Sequence, residues 1–116
     1  MTRGPVYVKS FAFAVRVVRL SRWLQEEKRE FVLSKQVLRS GTAVGAIIRE
    51  AEHAESRADF AHKTNIALKE ANETLFWLDL LHASEYLTSD HFQSIQPDAE
   101  ELVKLLVSIV KTTRNS

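Results

Sequence analysis

"FVLSKQVLRSGTAVGAIIREAEHA", residues 31–54, places an apolar or small side chain at every third or fourth position. The repeating positions are Leu33, Val37, Gly41, Val44, Ile48 and Ala51. Because an α-helix turns once in about 3.6 residues, this spacing puts them on one face and predicts an amphipathic helix. Gly41 and Gly45 each cost about 1 kcal/mol relative to Ala inside a helix. They therefore indicate either the close approach of a neighbouring backbone or a kink or frayed join in this helix.

Upstream of this stretch, residues 8–27 predict a helix with apolar side chains on two opposed faces. One face, suited to a bundle core, consists of Phe13, Val17, Leu20 and Leu24. The other consists of Phe11, Ala14, Val15 and Val18. A helix in a small domain needs only one apolar face for its own core, so the second face requires another partner.

Downstream, residues 56–86 predict a third helix that begins at an N-cap. Ser56 is followed three residues later by Asp59, a pair resembling a capping box. The core-facing positions are Phe60, Thr64, Ala67, Leu68, Ala71, Leu75, Leu78 and Leu81. A second apolar group lies on the other side of this helix and is a candidate oligomer interface; it consists of Ile66, Phe76, Trp77 and Leu80.

A fourth helix is predicted over residues 89–113. Its apolar side consists of Phe92, Ile95, Ala99, Leu102, Leu106, Ile109 and Val110. Pro97 lies within this pattern and is expected to kink the helix or restart it at Asp98. Four such helices with short polar connections predict an all-α, antiparallel, up-down-up-down four-helix bundle. Its expected limits are residues 8–113, with a lead over 1–7 and a polar tail over 114–116.

The composition is that of a single soluble domain. The chain has 116 residues, 45% of them hydrophobic and 27% charged, and it contains no Cys. The absence of Cys excludes a disulfide framework and fits a reducing compartment. No apolar run approaches the roughly 20 residues that a membrane span needs, and no signal-peptide pattern is visible. We therefore expect a cytoplasmic protein without membrane association.

The charge is divided unevenly along the chain. Residues 1–49 carry a net charge of +7 and residues 50–101 a net charge of −9. The candidate phosphate-binding cations of the first two helices are Lys9, Arg16, Arg19, Arg22, Lys35, Arg39 and Arg49. Cations on one face bind polyanions with an affinity that falls steeply with salt. The alternative is that they are solvated or pair with acidic helix three, of the same or a neighbouring subunit, and bind no nucleic acid.

Two motifs in residues 34–81 indicate a family: "RSGTAVGAIIREA", residues 39–51, and "IALKEANET", residues 66–74, followed by Trp77. On these motifs, residues 34–81 resemble the 23S rRNA intervening sequence proteins, or S23 proteins. It extends more weakly over residues 8–113. One departure is Ile47, where the family usually has Asn. The resemblance implies a left-handed antiparallel bundle, a ring-shaped homopentamer, and association with ribosomal RNA or other nucleic acid, and it transfers no catalytic residue.

No enzyme active site, metal site or cofactor is predicted. Three acid-x-x-His pairs carry the spacing of di-metal bundle ligands: Glu50 with His53, Asp59 with His62, and Asp79 with His82. Glu50 and His53 lie opposite the core stripe, and Asp59 and His62 lie in the first turn of the third helix. Asp79 points away from the apolar face, and His82 is expected to be a structural, buried or partly buried residue. Ser108 and Lys111 lack the further motifs of a serine–lysine site. The hypotheses left open are an RNA- or DNA-binding homo-oligomer and an assembly scaffold that docks a protein partner.

Overall fold

A computed structural model describes residues 4–115, and these residues form four α-helices and no strand. The helices are α1 (Pro5–Glu27), α2 (Leu33–Ala51), α3 (Arg57–Ala83) and α4 (Ser89–Arg114). The all-α prediction is confirmed. Met1–Arg3 of the expected lead and Ser116 of the expected tail lie outside the described residues.

Several predicted helix ends differ from the structure by up to three residues; α2 ends at Ala51 instead of residue 54, and α3 ends at Ala83 instead of residue 86. α1 begins at Pro5, three residues earlier than the periodicity of its apolar residues predicts. Proline suits the first turn because its fixed φ is already helical and its missing N–H would have no partner there. Of the two outcomes predicted for Pro97, the restart of the helix at Asp98 is wrong, since α4 continues through Pro97, which is exposed on its surface.

The helices form a compact antiparallel bundle in which each packs against the next and α4 packs against α1. Along the α1/α4 interface, Lys9 contacts Glu101 while Trp23 contacts His91, so these two helices run in opposite directions. The diagonal helices are farther apart: within residues 4–115, no Cα atom of α1 lies within 8 Å of one in α3, and none of α2 lies within 8 Å of one in α4. The outer faces of α1 and α3 therefore point away from each other. None of the four helices is both long enough and apolar enough to cross a membrane.

The predicted apolar stripes form the core. Fully buried side chains from all four helices include Val17, Leu24, Val37, Val44, Leu78, Leu81, Leu102 and Leu106. The core also contains polar groups that are hydrogen-bonded. The Thr74 hydroxyl donates to the Glu70 carbonyl at 2.8 Å and hydrogen-bonds with the Ser40 hydroxyl at 2.9 Å, while the Ser21 hydroxyl donates to the Ser34 carbonyl at 3.0 Å. These bonds fix the register of α2 against α3 and of α1 against α2.

The two glycines of α2 mark a close approach of α1, which confirms one of the two interpretations of the sequence. A Cβ atom at Gly41 would lie 2.8 Å from both methyl groups of Val17. A Cβ atom at Gly45 would lie 3.2 Å from the Ser10 carbonyl oxygen. α2 is a continuous helix across both positions, so neither glycine marks an interruption.

The predicted N-cap of α3 is also confirmed. The Asp59 backbone N–H donates to Ser56 Oγ at 3.0 Å. In return, the Glu55 backbone N–H donates to Asp59 Oδ2 at 3.0 Å, and Lys63 donates to the same carboxylate. Lys63 first, and then the Glu55 N–H, hold the pKa of Asp59 below its ordinary value.

Candidate nucleic-acid interface

The seven candidate cations lie on α1 and α2, but neighbouring carboxylates already engage three of them. Lys9 Nζ donates to Glu101 Oε2 at 2.6 Å. Arg16 donates to Asp98 Oδ2 at 2.5 Å, to the Ser94 carbonyl at 2.8 Å and to Ser94 Oγ at 2.7 Å. Both carboxylates belong to α4, whereas the sequence had suggested acidic helix three. These contacts compensate the charges of Lys9 and Arg16 on the side of α1 that faces α4.

Arg39 is the third engaged cation, and it pairs with α3 as the sequence alternative proposed. Its guanidinium donates to Glu70 Oε2 at 3.0 Å and also to the Glu73 carboxylate. The indole N–H of Trp77 donates to the same Glu73 oxygen at 2.9 Å. The Trp77 and Arg39 donors hold the pKa of Glu73 below its ordinary value, and the two carboxylates raise the pKa of Arg39.

Arg49 occupies a different environment, over aromatic rings of α1. Its guanidinium carbon lies 5.2 Å from the ring centre of Tyr7 and 5.8 Å from that of Phe11. A guanidinium in this position is attracted by the negative face of the ring while its N–H groups remain available to solvent. Arg49 lies at the opposite end of α2 from Lys35, so the two do not form one continuous ridge with Arg39.

The remaining three candidates, Arg19, Arg22 and Lys35, are exposed and have no carboxylate partner among residues 4–115. The bond from Ser21 to Ser34 joins α1 and α2 directly beside two of them. Arg22 and Lys35 are the next residues along their respective helices, so they lie at the same level of the bundle.

Two further cations at this level were not among the sequence candidates. Lys28 and Arg29 follow α1 directly, and both are exposed. Lys28 Nζ lies 5.5 Å from the ring centre of Trp23, and Arg29 adopts a φ of 53° that reverses the chain toward α2. Their adjacency in sequence was visible, but only the turn brings them beside the helix cations. We call Arg19, Arg22, Lys28, Arg29 and Lys35 the basic end.

The basic end also contains carboxylates, one of which has a structural role. Glu30 accepts from the backbone N–H groups of Ser34 at 2.8 Å and Val32 at 3.2 Å, so it caps the start of α2. Glu26 and Glu27 are exposed on the last turn of α1. The five cations outnumber these three acids, and one acid is already held by backbone donors.

The candidate interface residues form two apolar patches on the diagonal helices. On α1, the exposed fractions of Phe11, Val15 and Val18 are 56%, 36% and 40%. On α3, Phe76 is 56% exposed and packs edge-on against Trp77, with ring centres 5.0 Å apart. The other α3 candidates, Ile66, Trp77 and Leu80, are half-buried. We call these the α1 patch and the α3 patch.

The acid-x-x-His pairs do not converge. Among the residues that the structure describes, no three His, Cys, Asp or Glu side chains form a group that could hold a metal ion. Asp59 is engaged in the α3 N-cap, and His82 is half-buried and stacks on Phe92 with ring centres 4.3 Å apart. Ser108 and Lys111 are both exposed on α4.

Comparison with known proteins identifies the family. The model of the 23S rRNA-intervening sequence protein family matches residues 4–108. The chain belongs to this family. It is also similar to a protein of unknown function from the S23 ribosomal protein family of Bacteroides thetaiotaomicron VPI-5482, whose crystal structure was determined at 1.70 Å resolution. The identity is 59%, the match covers 91% of this chain and 98% of that chain, and the TM-score is 0.90. Comparison with curated proteins gives no match.

Membership of the 23S rRNA-intervening sequence protein family confirms the resemblance carried by residues 34–81. At Ile47, where the sequence departs from the usual family pattern, the side chain is half-buried and packs against the core. This position therefore supplies an apolar contact between helices, and no polar role is needed there.

Proposed function

We propose that this protein is a non-enzymatic homo-oligomer that binds structured RNA, with ribosomal RNA as the class that the family name indicates. The observation that carries the proposal is the basic end, whose five cations have no carboxylate partner among residues 4–115. Unpaired cations release counterions from the phosphate backbone when they bind, and that release favours association. Paired cations such as Arg16 and Arg39 would first have to leave their carboxylates.

The test compares two charge-neutralised variants of the full chain. One carries Arg22→Gln, Arg29→Gln and Lys35→Gln. The matched control carries Lys69→Gln, Lys104→Gln and Lys111→Gln, three exposed changes on α3 and α4. Binding to an RNA hairpin and to a DNA duplex is measured over a salt series.

We expect the basic-end variant to lose affinity for the hairpin and to reduce the slope of log K against log salt by about one for each phosphate that is no longer neutralised. The control should retain the wild-type slope. Equal weakening in both variants would mean that only the total charge matters. No binding by the wild-type protein at low salt would refute nucleic-acid binding and favour a scaffold that docks a protein partner.

The same proposal includes assembly into a closed ring, with five subunits as the number that the family resemblance implies. The α1 and α3 patches differ in composition and lie on diagonally opposed helices of the bundle. A contact between two different patches is heterologous, and it closes into a ring when the rotation between subunits allows. The basic N-terminal half and the acidic α3 region give this contact complementary charge.

Two single substitutions and their mixture test the ring. Phe11→Glu disables the α1 patch and Phe76→Glu disables the α3 patch, so each should dissociate the oligomer to monomers in light scattering. An equimolar mixture should form a dimer, because one intact α1 patch then meets one intact α3 patch. Val107→Glu, a change at a 43% exposed residue of α4, should leave the mass unchanged. A contact between two α1 patches would instead leave Phe76→Glu assembled.

A further inference from the structure

A groove between α1 and α4 adjoins the basic end. Its volume is about 330 Å³, at the small end of the range for ligand sites. Half-buried Leu20 and buried Ile95 form its apolar floor. The surrounding side chains are Arg16, Arg19, Trp23, His91 and Ser94.

The two arginines of the groove differ in what they can bind. The Arg16 guanidinium already donates to Asp98 and twice to Ser94, so its charge is matched and its position is fixed. Arg19 lies one turn further along α1, is exposed, and has no ion pair among residues 4–115. The groove therefore contains one uncompensated positive charge, which favours a ligand with an anionic group.

The rest of the groove suits a flat ring. The Trp23 indole packs at right angles to His91, with ring centres 4.7 Å apart and planes at 87°. The exposed Lys28 Nζ lies 5.5 Å from the Trp23 ring centre, so a base that stacks there takes the place of this ammonium group. Together with Leu20 and Ile95 it offers an aromatic and apolar surface beside the Arg19 charge. Inorganic phosphate would leave this surface unused, and an uncharged apolar molecule would leave the Arg19 charge unmatched.

We infer that this groove binds a single unpaired nucleotide of an RNA, with the base against Trp23 and the floor and its phosphate at Arg19. The inference rests on the proposed function and names the unit of RNA that this part of the surface recognises. Unpaired bases in RNA are recognised by stacking on aromatic side chains, and the flanking phosphates are held by cations. Arg19 belongs to both the groove and the basic end, so a strand leaving the groove would pass directly to Arg22.

The test uses two hairpins that differ only in one bulged adenosine. In a Trp77→Phe background, Trp23 is the sole tryptophan, since the chain has two. We expect the bulged hairpin to quench Trp23 fluorescence and to bind about tenfold more tightly than the fully paired hairpin. Arg19→Gln should abolish this preference. Arg22→Gln, outside the groove, should weaken both hairpins equally and keep the preference.

The outcomes separate this inference from the proposed function. Equal, salt-dependent binding of both hairpins with no change in Trp23 fluorescence would overturn the groove as a nucleotide site while leaving RNA binding by the basic end. Competition by inorganic phosphate as effective as that by adenosine 5′-monophosphate would also overturn it, since the base would then contribute nothing. Failure of both hairpins to bind at low salt would refute the proposed function together with the inference.

Discussion

Gly41→Ala tests the close approach of α1 and α2 because two opposing contributions have known sizes. In an exposed helix interior, Gly to Ala stabilises by about 1 kcal/mol. Here the added Cβ would lie 2.8 Å from both Val17 methyl groups, about 1 Å inside the ordinary contact distance of roughly 3.5–4.0 Å. Overpacking of this kind costs about 1–3 kcal/mol. The overlap outweighs the propensity gain, and we expect a net decrease of about 1 kcal/mol in the free energy of unfolding.

A double-mutant cycle with Val17→Ala isolates that overlap. Val17→Ala alone removes two buried methyl groups and should cost about 2 kcal/mol, including a small cavity. In the double variant the methyl group added by Gly41→Ala occupies the vacated space. The double variant should therefore be destabilised by about 1–2 kcal/mol less than the sum of the two single variants. Urea unfolding at a fixed protein concentration measures each corner of the cycle, since oligomerisation makes stability depend on concentration.

Gly45→Ala provides the matched control. Its Cβ would approach the Ser10 backbone oxygen, which truncation of Val17 does not move, so Gly45→Ala and Val17→Ala should be additive. The reasoning would be refuted if Gly41→Ala stabilised the protein by the full propensity gain. Additivity of Gly41→Ala with Val17→Ala would refute it equally.

Two further predictions concern side chains that satisfy local partners. Ser56→Ala removes the acceptor of the Asp59 N–H and should lower the free energy of unfolding by about 1 kcal/mol in urea titrations. Ser56→Thr keeps a hydroxyl acceptor and should retain most of the stability that the cap contributes. Equal decreases in the two variants would exclude a capping role. The Trp77 indole N–H and then the Arg39 guanidinium hold the pKa of Glu73 below its ordinary value of 4.5, so this stabilisation is present above that value and is lost as the pH falls through the lower folded pKa. At neutral pH the free energy of unfolding of the wild type should exceed that of Glu73→Gln by about 0.5–1 kcal/mol, and this difference should disappear in acid. A difference that grew in acid would contradict the lowered pKa of Glu73.

The core was predictable because its position depends only on the period of each helix. Val37, Val44 and Ile48 repeat at helical spacing, and all three are buried. The glycines could be interpreted for the same reason: Gly41 shares their phase, so a missing side chain there implied a neighbour pressed against the helix.

The pairing of the cations could not be predicted in the same way. A helical wheel gives the angle of a side chain from its own core stripe, but it does not say which neighbouring helix lies on which side. Lys9 and Arg16 point toward α4, where Glu101 and Asp98 lie at matching heights. The paired residues are 92 and 82 positions apart in the sequence. Their relative heights depend on the register of α1 against α4, and no local sequence pattern determines that register.

Apart from the paired cations, the outer face of α1 has an apolar part followed by a basic part. Its outer face begins with the exposed Phe11, Val15 and Val18 and reaches Arg22 one turn after Val18. In the proposed ring, contacts at the apolar part would hold every subunit in the same orientation, and the basic ends would then repeat along one edge of the assembly. Each basic end offers few cations, but simultaneous contacts from several subunits multiply weak affinities when the geometry allows them to engage together. Assembly and RNA binding would then depend on the same helix, with the α1 patch setting the spacing at which the basic ends meet a polyanion.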